Sequence, residues 1–150
     1  MSAGTASDRG PVQHVVFLLD ATRYALPLAA VREVVLQPDG VVRVPRAPAS
    51  VVGVVNLRGR VVTVMDFARL LELPPPTQPQ RKLIVLERGR RDLALSVTDV
   101  EGIETVEKVS TQARESRPVV RGVTRVKGVA VTVLDTEALD AAVTHLFDRG

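Results

Sequence analysis

The chain has 150 residues, 45% of them hydrophobic and 25% charged, with a formal net charge of +3 and no cysteine. The missing cysteines exclude a disulfide framework and thiolate chemistry, and a core of useful size has to be built from Val, Leu, Ile and Ala, because only three Phe and one Tyr are present. The length suits one domain or two small halves sharing a core, and the weak positive charge permits a nucleic-acid partner without demanding one.

In chain order, residues 1–11 are small and polar and read as a disordered tail. They carry no apolar stretch of signal-peptide type, and no segment anywhere reads as a membrane span. His14–Leu19 reads as a first strand, and Asp20-Ala-Thr22 turns it into a second over Arg23–Leu26. Pro27 cannot donate to a central ladder, so the strand ends there. One helical turn is expected over Leu28–Val31. An extended stretch follows over Glu33–Leu36, then a Pro38-Asp39-Gly40 turn and a short strand over Val41–Val44.

The next stretch, Gly53-Val-Val-Asn-Leu-Arg-Gly-Arg-Val-Val-Thr-Val-Met-Asp66, predicts strand, turn and strand, then a short helix from Phe67 capped by Asp66. Leu73–Gln80 holds four prolines and predicts a stiff connector. Leu83–Glu87 and Asp92–Val97 predict a hairpin around the basic run Arg88–Arg91. Ile103–Val109 predicts a further strand, and Ser110–Pro118 a surface loop. A second Gly-to-Asp stretch, Gly122–Asp135, leads into a helix to about Phe147, with Leu139, Ala142, Val143 and Leu146 on one face.

The two Gly-to-Asp stretches are copies. Gly53/Gly122, Val54/Val123, Gly59/Gly128, Val62/Val131, Thr63/Thr132, Val64/Val133, Asp66/Asp135 and Leu70/Leu139 are identical at an offset of 69 residues, and Ala25/Ala94, Leu26/Leu95 and Val31/Val100 extend the match upstream. The pattern predicts an all-β protein of two related small barrels, divided into 12–73, a connector at 74–80, and 81–147.

Catalytic chemistry finds no foothold in the sequence. Asp66 and Asp135 each end a strand and open a helix, which the capping role explains without acid–base work. The two histidines, His14 and His145, stand in a first strand and a last helix and make no ligand cluster. No phosphate-cradling glycine motif or nucleophile elbow occurs. The aromatics Phe17, Tyr24, Phe67 and Phe147 are scattered along the chain rather than grouped for stacking on bases. A small β-barrel nucleic-acid binder is the alternative from another class, resting on Arg88–Arg91 alone. No catalytic residue, metal or cofactor is expected. What remains is surface recognition: Arg58 at a turn tip offers a planar fork for a carboxylate, with Glu33 as candidate partner. An ordinary surface ion pair explains the same two residues equally well.

Gly53-Val-Val-Asn-Leu-Arg-Gly with its following strand and Asp66 resembles the CheW family, the coupling proteins of bacterial chemotaxis. Phe17-Leu-Leu-Asp, Tyr24-Ala-Leu-Pro-Leu, Val31-Arg-Glu-Val34, Val44-Pro-Arg-Ala-Pro48, Leu95–Val100 and Val133-Leu-Asp135 match in order and spacing. The resemblance covers most of residues 12–147. It implies two SH3-like five-stranded barrels side by side and a non-enzymatic adaptor between methyl-accepting chemoreceptors and a CheA-type histidine kinase. Such an adaptor would be cytoplasmic and reach membrane-associated receptor arrays through its partners. The receptor's cytoplasmic tip is expected in the groove between the barrels, against Leu28, Val31, Glu33, Arg58 and Val61, with Glu33 and Arg58 paired. The kinase regulatory domain is expected against Val52, Gly53 and Lys82. A divergent member binding only receptor or only kinase is the nearer alternative.

Overall fold

The structure, a computed structural model, describes residues 11–87, 92–111 and 119–149. The expectations for the N-terminal tail, for Arg88–Arg91 and for most of the Ser110–Pro118 loop fall outside the described residues. The strands are β1 (Val12–Leu19), β2 (Thr22–Pro27), β3 (Val31–Leu36), β4 (Val51–Leu57), β5 (Arg60–Asp66), β6 (Lys82–Leu86), β7 (Leu93–Val97), β8 (Asp99–Val106), β9 (Val120–Val126) and β10 (Val129–Leu134). Two helices follow β5 and β10: α1 (Phe67–Leu70) and α2 (Thr136–Arg149). Val41–Val44 is not a strand. It touches the sheet through a single bridge, Val42 to Val54, and Pro45 right after it denies the ladder a further amide.

Ten strands form two five-stranded sheets, ordered β8-β1-β2-β10-β9 and β3-β6-β7-β5-β4. Adding five to each strand number, cyclically, turns one order into the other, so the duplication seen in the sequence is a duplication of structure. The barrels do not, however, follow the sequence halves 12–73 and 81–147. Each takes two strands from one half and three from the other: barrel A is β1, β2, β8, β9 and β10, and barrel B is β3 to β7. Pro27 ends β2, and the 3-10 turn Leu28–Ala30 carries the chain out of barrel A into barrel B, where β3 pairs with β6. The free edge of β2 is taken in parallel by β10, and β5 pairs in parallel with β7 in the other barrel. The chain returns between β7 and β8 across Thr98, whose amide donates to the Leu18 carbonyl at 2.9 Å.

Period-2 alternation sends one face of the strands into their barrel; the other face of the inner strands enters a core shared by both, while on β3 it is exposed at Arg32, Val34 and Leu36. The shared core contains Phe17, Tyr24, Leu26, Met65, Phe67, Ile84, Leu95, Leu134 and Leu139. Strand β7 is buried at every residue because both its faces are covered. The aromatics, scattered in sequence, converge here. Ring centroids lie 5.8 Å apart for Phe17 and Tyr24, 5.2 Å for Phe17 and Phe67, and 5.0 Å for Tyr24 and Phe67. Their role is packing, which leaves none of the three free to stack on a base.

Both copies solve the same local problems with the same residues. Arg58-Gly59 and Lys127-Gly128 are two-residue loops with φ of 54° and 84°, and of 53° and 80°. Both central residues have positive φ, the type I′ geometry whose twist matches a hairpin. Asp66 accepts from the Arg69 amide at 3.2 Å and Asp135 from the Ala138 amide at 3.0 Å, the expected caps. The proline-rich connector is held at Asp20, in the β1–β2 turn. Its carboxylate accepts from the Gln78 amide at 2.9 Å and the Thr77 amide at 3.0 Å, and those bonds lower its pKa.

Candidate functional site

The expected receptor-facing residues lie where the chain passes from one barrel to the other and along the adjoining end of barrel B. Leu28 is half-buried in the crossing turn. Val31, the first residue of β3, packs against the shared core. Two residues on, Glu33 meets the guanidinium of Arg58, with Nη1 donating to Oε1 at 2.5 Å. Arg58 is held out on the β4–β5 loop with its side chain 75% exposed, and that of Glu33 is 26% exposed. Val61, next on β5, is 64% exposed. On β5 the residues Val62 and Val64 point into the barrel, so alternation turns Val61 outward.

Four further charged residues complete this end of the barrel. Arg60 Nη2 donates to Asp92 at 2.5 Å, Arg32 Nη1 lies 3.8 Å from the same carboxylate oxygen, and Arg32 Nε donates to Glu87 at 3.2 Å. Arg32 separates Val31 from Glu33, and Arg60 separates Gly59 from Val61. One carboxylate at the start of β7 therefore fixes the starts of β3 and β5 relative to each other. Sequence reasoning missed Asp92, because no local spacing connects residues 32, 60 and 92.

The residues expected to face a kinase are not brought together. Val52 and Gly53 lie on β4, beneath the segment 41–49. Lys82 opens β6, pairs with Leu36 and reaches Asp99 of barrel A at 3.2 Å, a bridge between the barrels. Among the described residues, no hydrogen bond, ion pair or strand pairing joins Lys82 to Val52 or Gly53. Gly53 is there because of a close approach: a Cβ on it would stand 2.3 Å from the Val42 carbonyl oxygen.

Among the described residues no group of His, Cys, Asp or Glu is arranged to hold a metal ion, and no helix is long and apolar enough to cross a membrane. The crossing carries apolar side chains at a barrel junction and, on the adjoining end of barrel B, an exposed guanidinium oriented by a carboxylate.

Residues 13–143 match the family described as CheW-like domain. The chain is 25% identical over 142 residues to a protein of Rhizobium etli named "Probable chemotaxis protein CheW", covering 88% of this chain and 89% of that one. It is 29% identical over 102 residues to the chemotaxis protein CheW of Rhizobium meliloti, covering 63% and 66%. In fold it is similar to the scaffolding protein TtCheW from Thermoanaerobacter tengcongensis, with a TM-score of 0.69 at 20% identity over 83% of this chain and 89% of that one.

Proposed function

The chain belongs to the CheW-like domain family, and on that premise we propose that it is a chemotaxis adaptor without catalytic activity, coupling chemoreceptors to a CheA-type histidine kinase. The observation that carries the reading is the Glu33–Arg58 pair at the barrel crossing. An ion pair this exposed contributes well under about 1 kcal/mol to folding, and the type I′ turn asks for a positive φ at position 58 but not for an arginine, so stability gives little reason for the guanidinium. As a docking element it makes sense. Glu33 orients the guanidinium, Leu28, Val31 and Val61 offer apolar anchors around it, and the helical tip of a receptor can lay apolar residues on those anchors while Arg58 sets its register. The kinase-facing surface proposed for Val52, Gly53 and Lys82 has to be two patches, since Lys82 lies apart from the other two. Lys82 in its bridge to Asp99 reports on how the barrels are held together as much as on any partner.

The test is co-sedimentation with receptor-bearing membranes. Arg58→Glu is expected to abolish it while the circular dichroism spectrum and the monomer's unfolding midpoint stay within error of the parent. Undiminished co-sedimentation of Arg58→Glu would refute the assignment. Kinase pull-down with the same variant separates the coupling role from receptor binding alone, because Arg58 belongs to only one of the proposed surfaces.

A further inference from the structure

A second open surface lies on barrel B, apart from the residues proposed to face a receptor. Between the segment 41–49 and the start of β4 runs an open groove of about 760 Å3. Its apolar lining includes Val44, Pro48 and Val52, and its charged lining is Arg43, Arg46, Arg69 and Asp66. Asp66 is already engaged, accepting from the Arg69 amide at 3.2 Å as a helix cap and lying 3.8 Å from the Arg69 guanidinium. Among the described residues no ion pair engages Arg43 or Arg46. The groove is thus mixed, apolar and polar in about equal measure, and carries uncompensated positive charge.

The backbone beside it is also incompletely used. Val42 and Val54 exchange both amide bonds at 2.8 Å, so the amides and carbonyls of Val41 and Arg43 point away from β4. None of the hydrogen bonds among the described residues uses them. The segment lies outside β4, the last strand of this sheet, and is joined to it by the Val42–Val54 bridge alone. Its outer valines are open to solvent, Val42 at 62% and Val44 at 41%. An unpaired edge with exposed valines is a template for another strand, and the arginines select what that strand carries.

We infer that this edge and groove bind an extended, carboxylate-bearing segment of a partner protein, added as a strand along Val41–Val44 with its apolar residues in the groove and its carboxylates on Arg43 and Arg46. Main-chain bonds supply affinity independent of sequence, and the guanidinium forks supply the preference for acidic over basic segments. The inference deepens the proposed kinase-facing role of Val52 in one respect, the chemistry of the contact, and rests on that reading only for which protein supplies the segment.

The experiment is amide-resolved NMR titration of the 15N-labelled chain with a capped peptide of alternating Asp and Val about eight residues long. Its Lys–Val counterpart and a version N-methylated at every second residue serve as controls. Shifts confined to Val41–Ala47 and Val51–Val52 are expected, weakened at least tenfold in Arg43→Glu/Arg46→Glu and lost with the N-methylated peptide. Equal binding of the Lys–Val peptide, undiminished binding to the double variant, or no shift with the acidic peptide at millimolar concentration would each overturn the inference. Strong binding of the N-methylated peptide would overturn strand addition. Receptor co-sedimentation should be unchanged in Arg43→Glu/Arg46→Glu, and peptide binding unchanged in Arg58→Glu, so the two readings fail separately.

Discussion

The two barrels share strand order, loop type and capping residues, yet their interiors differ. Barrel B is filled by Val55, Val62, Val64, Leu83, Val85 and Ala94, with Val35 packed against them. The residues 69 positions away, in barrel A, are Thr124, Val131, Val133, His14, Val16, Ala25 and Glu104. Four of those seven, Val16, Ala25, Val131 and Val133, make up the buried apolar core of barrel A; the other three are polar. His14 is 1% exposed and Thr124 8%. Thr124 satisfies its hydroxyl by donating to the Lys108 carbonyl at 2.5 Å, and Glu104 reaches Lys127 at 3.4 Å. His14 donates from Nδ1 to the Val12 carbonyl at 2.9 Å, while its Nε2 is buried without a partner. One backbone plan therefore tolerates a dry interior and a partly polar one, at the cost of one unpartnered buried nitrogen on His14. Barrel B, which carries the Glu33–Arg58 pair proposed to face a receptor and the basic groove, is the one with the fully apolar filling.

Transplanting the polar residue tests this most severely. Leu83→His would place an imidazole among Val35, Val55 and Val85, with no donor or acceptor near it in the set. The lost packing and the unpaired ring nitrogens together should cost about 3 kcal/mol or more. Urea unfolding followed by circular dichroism measures it, and a loss below about 1 kcal/mol would mean that barrel B is as accommodating as barrel A.

The paired glycines test the opposite point, that the two barrels share their construction. A Cβ at Gly53 would stand 2.3 Å from the Val42 carbonyl oxygen, and one at Gly122 would stand 2.5 Å from that of Ser110. Both carbonyls belong to an isolated bridge onto the following valine, Val42 with Val54 and Ser110 with Val123. Backbone cannot yield as a side-chain tip does, so Gly53→Ala and Gly122→Ala should each destabilise by about 1–3 kcal/mol. Similar losses for both are expected; a cost at one site only would break the equivalence.

The turn glycines, the aspartate caps, the hairpins and the amphipathic last helix were legible in the sequence because each depends on residues within a few positions of one another, and the internal repeat because identities recur at one fixed offset of 69 residues. The exchange of strands between barrels was not. Periodicity says that β3 is extended with alternating burial, but nothing in Val31–Leu36 says that its partner is β6 rather than β2. Long-range pairing is decided by which edges remain free once β10 has taken β2. The same holds for the convergence of Phe17, Tyr24 and Phe67, for the Asp20 clamp on Thr77 and Gln78, and for Asp92 between Arg32 and Arg60. In the candidate site, Glu33 and Arg58 were suggested by residue type and family likeness. Their adjacency follows from barrel closure, which brings the β4–β5 loop against β3. Lys82 was grouped with Val52 and Gly53 by likeness alone, and the strand order separates them.

His14 carries a pH signature that barrel B lacks. Desolvation lowers its pKa from the ordinary 6.5; the bond to Val12 works the other way, and Arg121 adds to the lowering. The unfolded chain therefore takes up a proton near pH 6.5 that the folded chain resists. Stability falls as the pH drops below that value and levels off once the folded imidazole is itself protonated. Glu104, opposite His14 across β1 and β8, does not relieve this, since its carboxylate is turned to Lys127. His14→Leu should raise stability by about 1 kcal/mol at neutral pH, from the removal of a buried unpaired acceptor, and should flatten the decline between about pH 6.5 and pH 5. An unchanged pH profile would remove His14 from the account.

The smallest effect concerns the loop tips. Lys127 is the repeat counterpart of Arg58, and each reaches a glutamate on the strand closing its own barrel, Glu33 on β3 and Glu104 on β8. The glutamates are not counterparts. Position 33 corresponds to Gly102, and Glu104 corresponds to Val35, so the acid has moved two residues along the strand while keeping its face. Lysine also makes a point contact at 3.4 Å where arginine makes a directed one at 2.5 Å. Both pairs are too exposed to matter for folding, and double-mutant cycles on Glu33/Arg58 and Glu104/Lys127 should each give less than about 1 kcal/mol of coupling in urea unfolding. The difference belongs in binding. Lys127→Glu should leave receptor co-sedimentation intact where Arg58→Glu abolishes it, because only the arginine tip adjoins the crossing turn and its apolar anchors. Equal losses for both variants would mean that general positive charge at the barrel tips, rather than an oriented guanidinium beside Val31 and Val61, makes the contact.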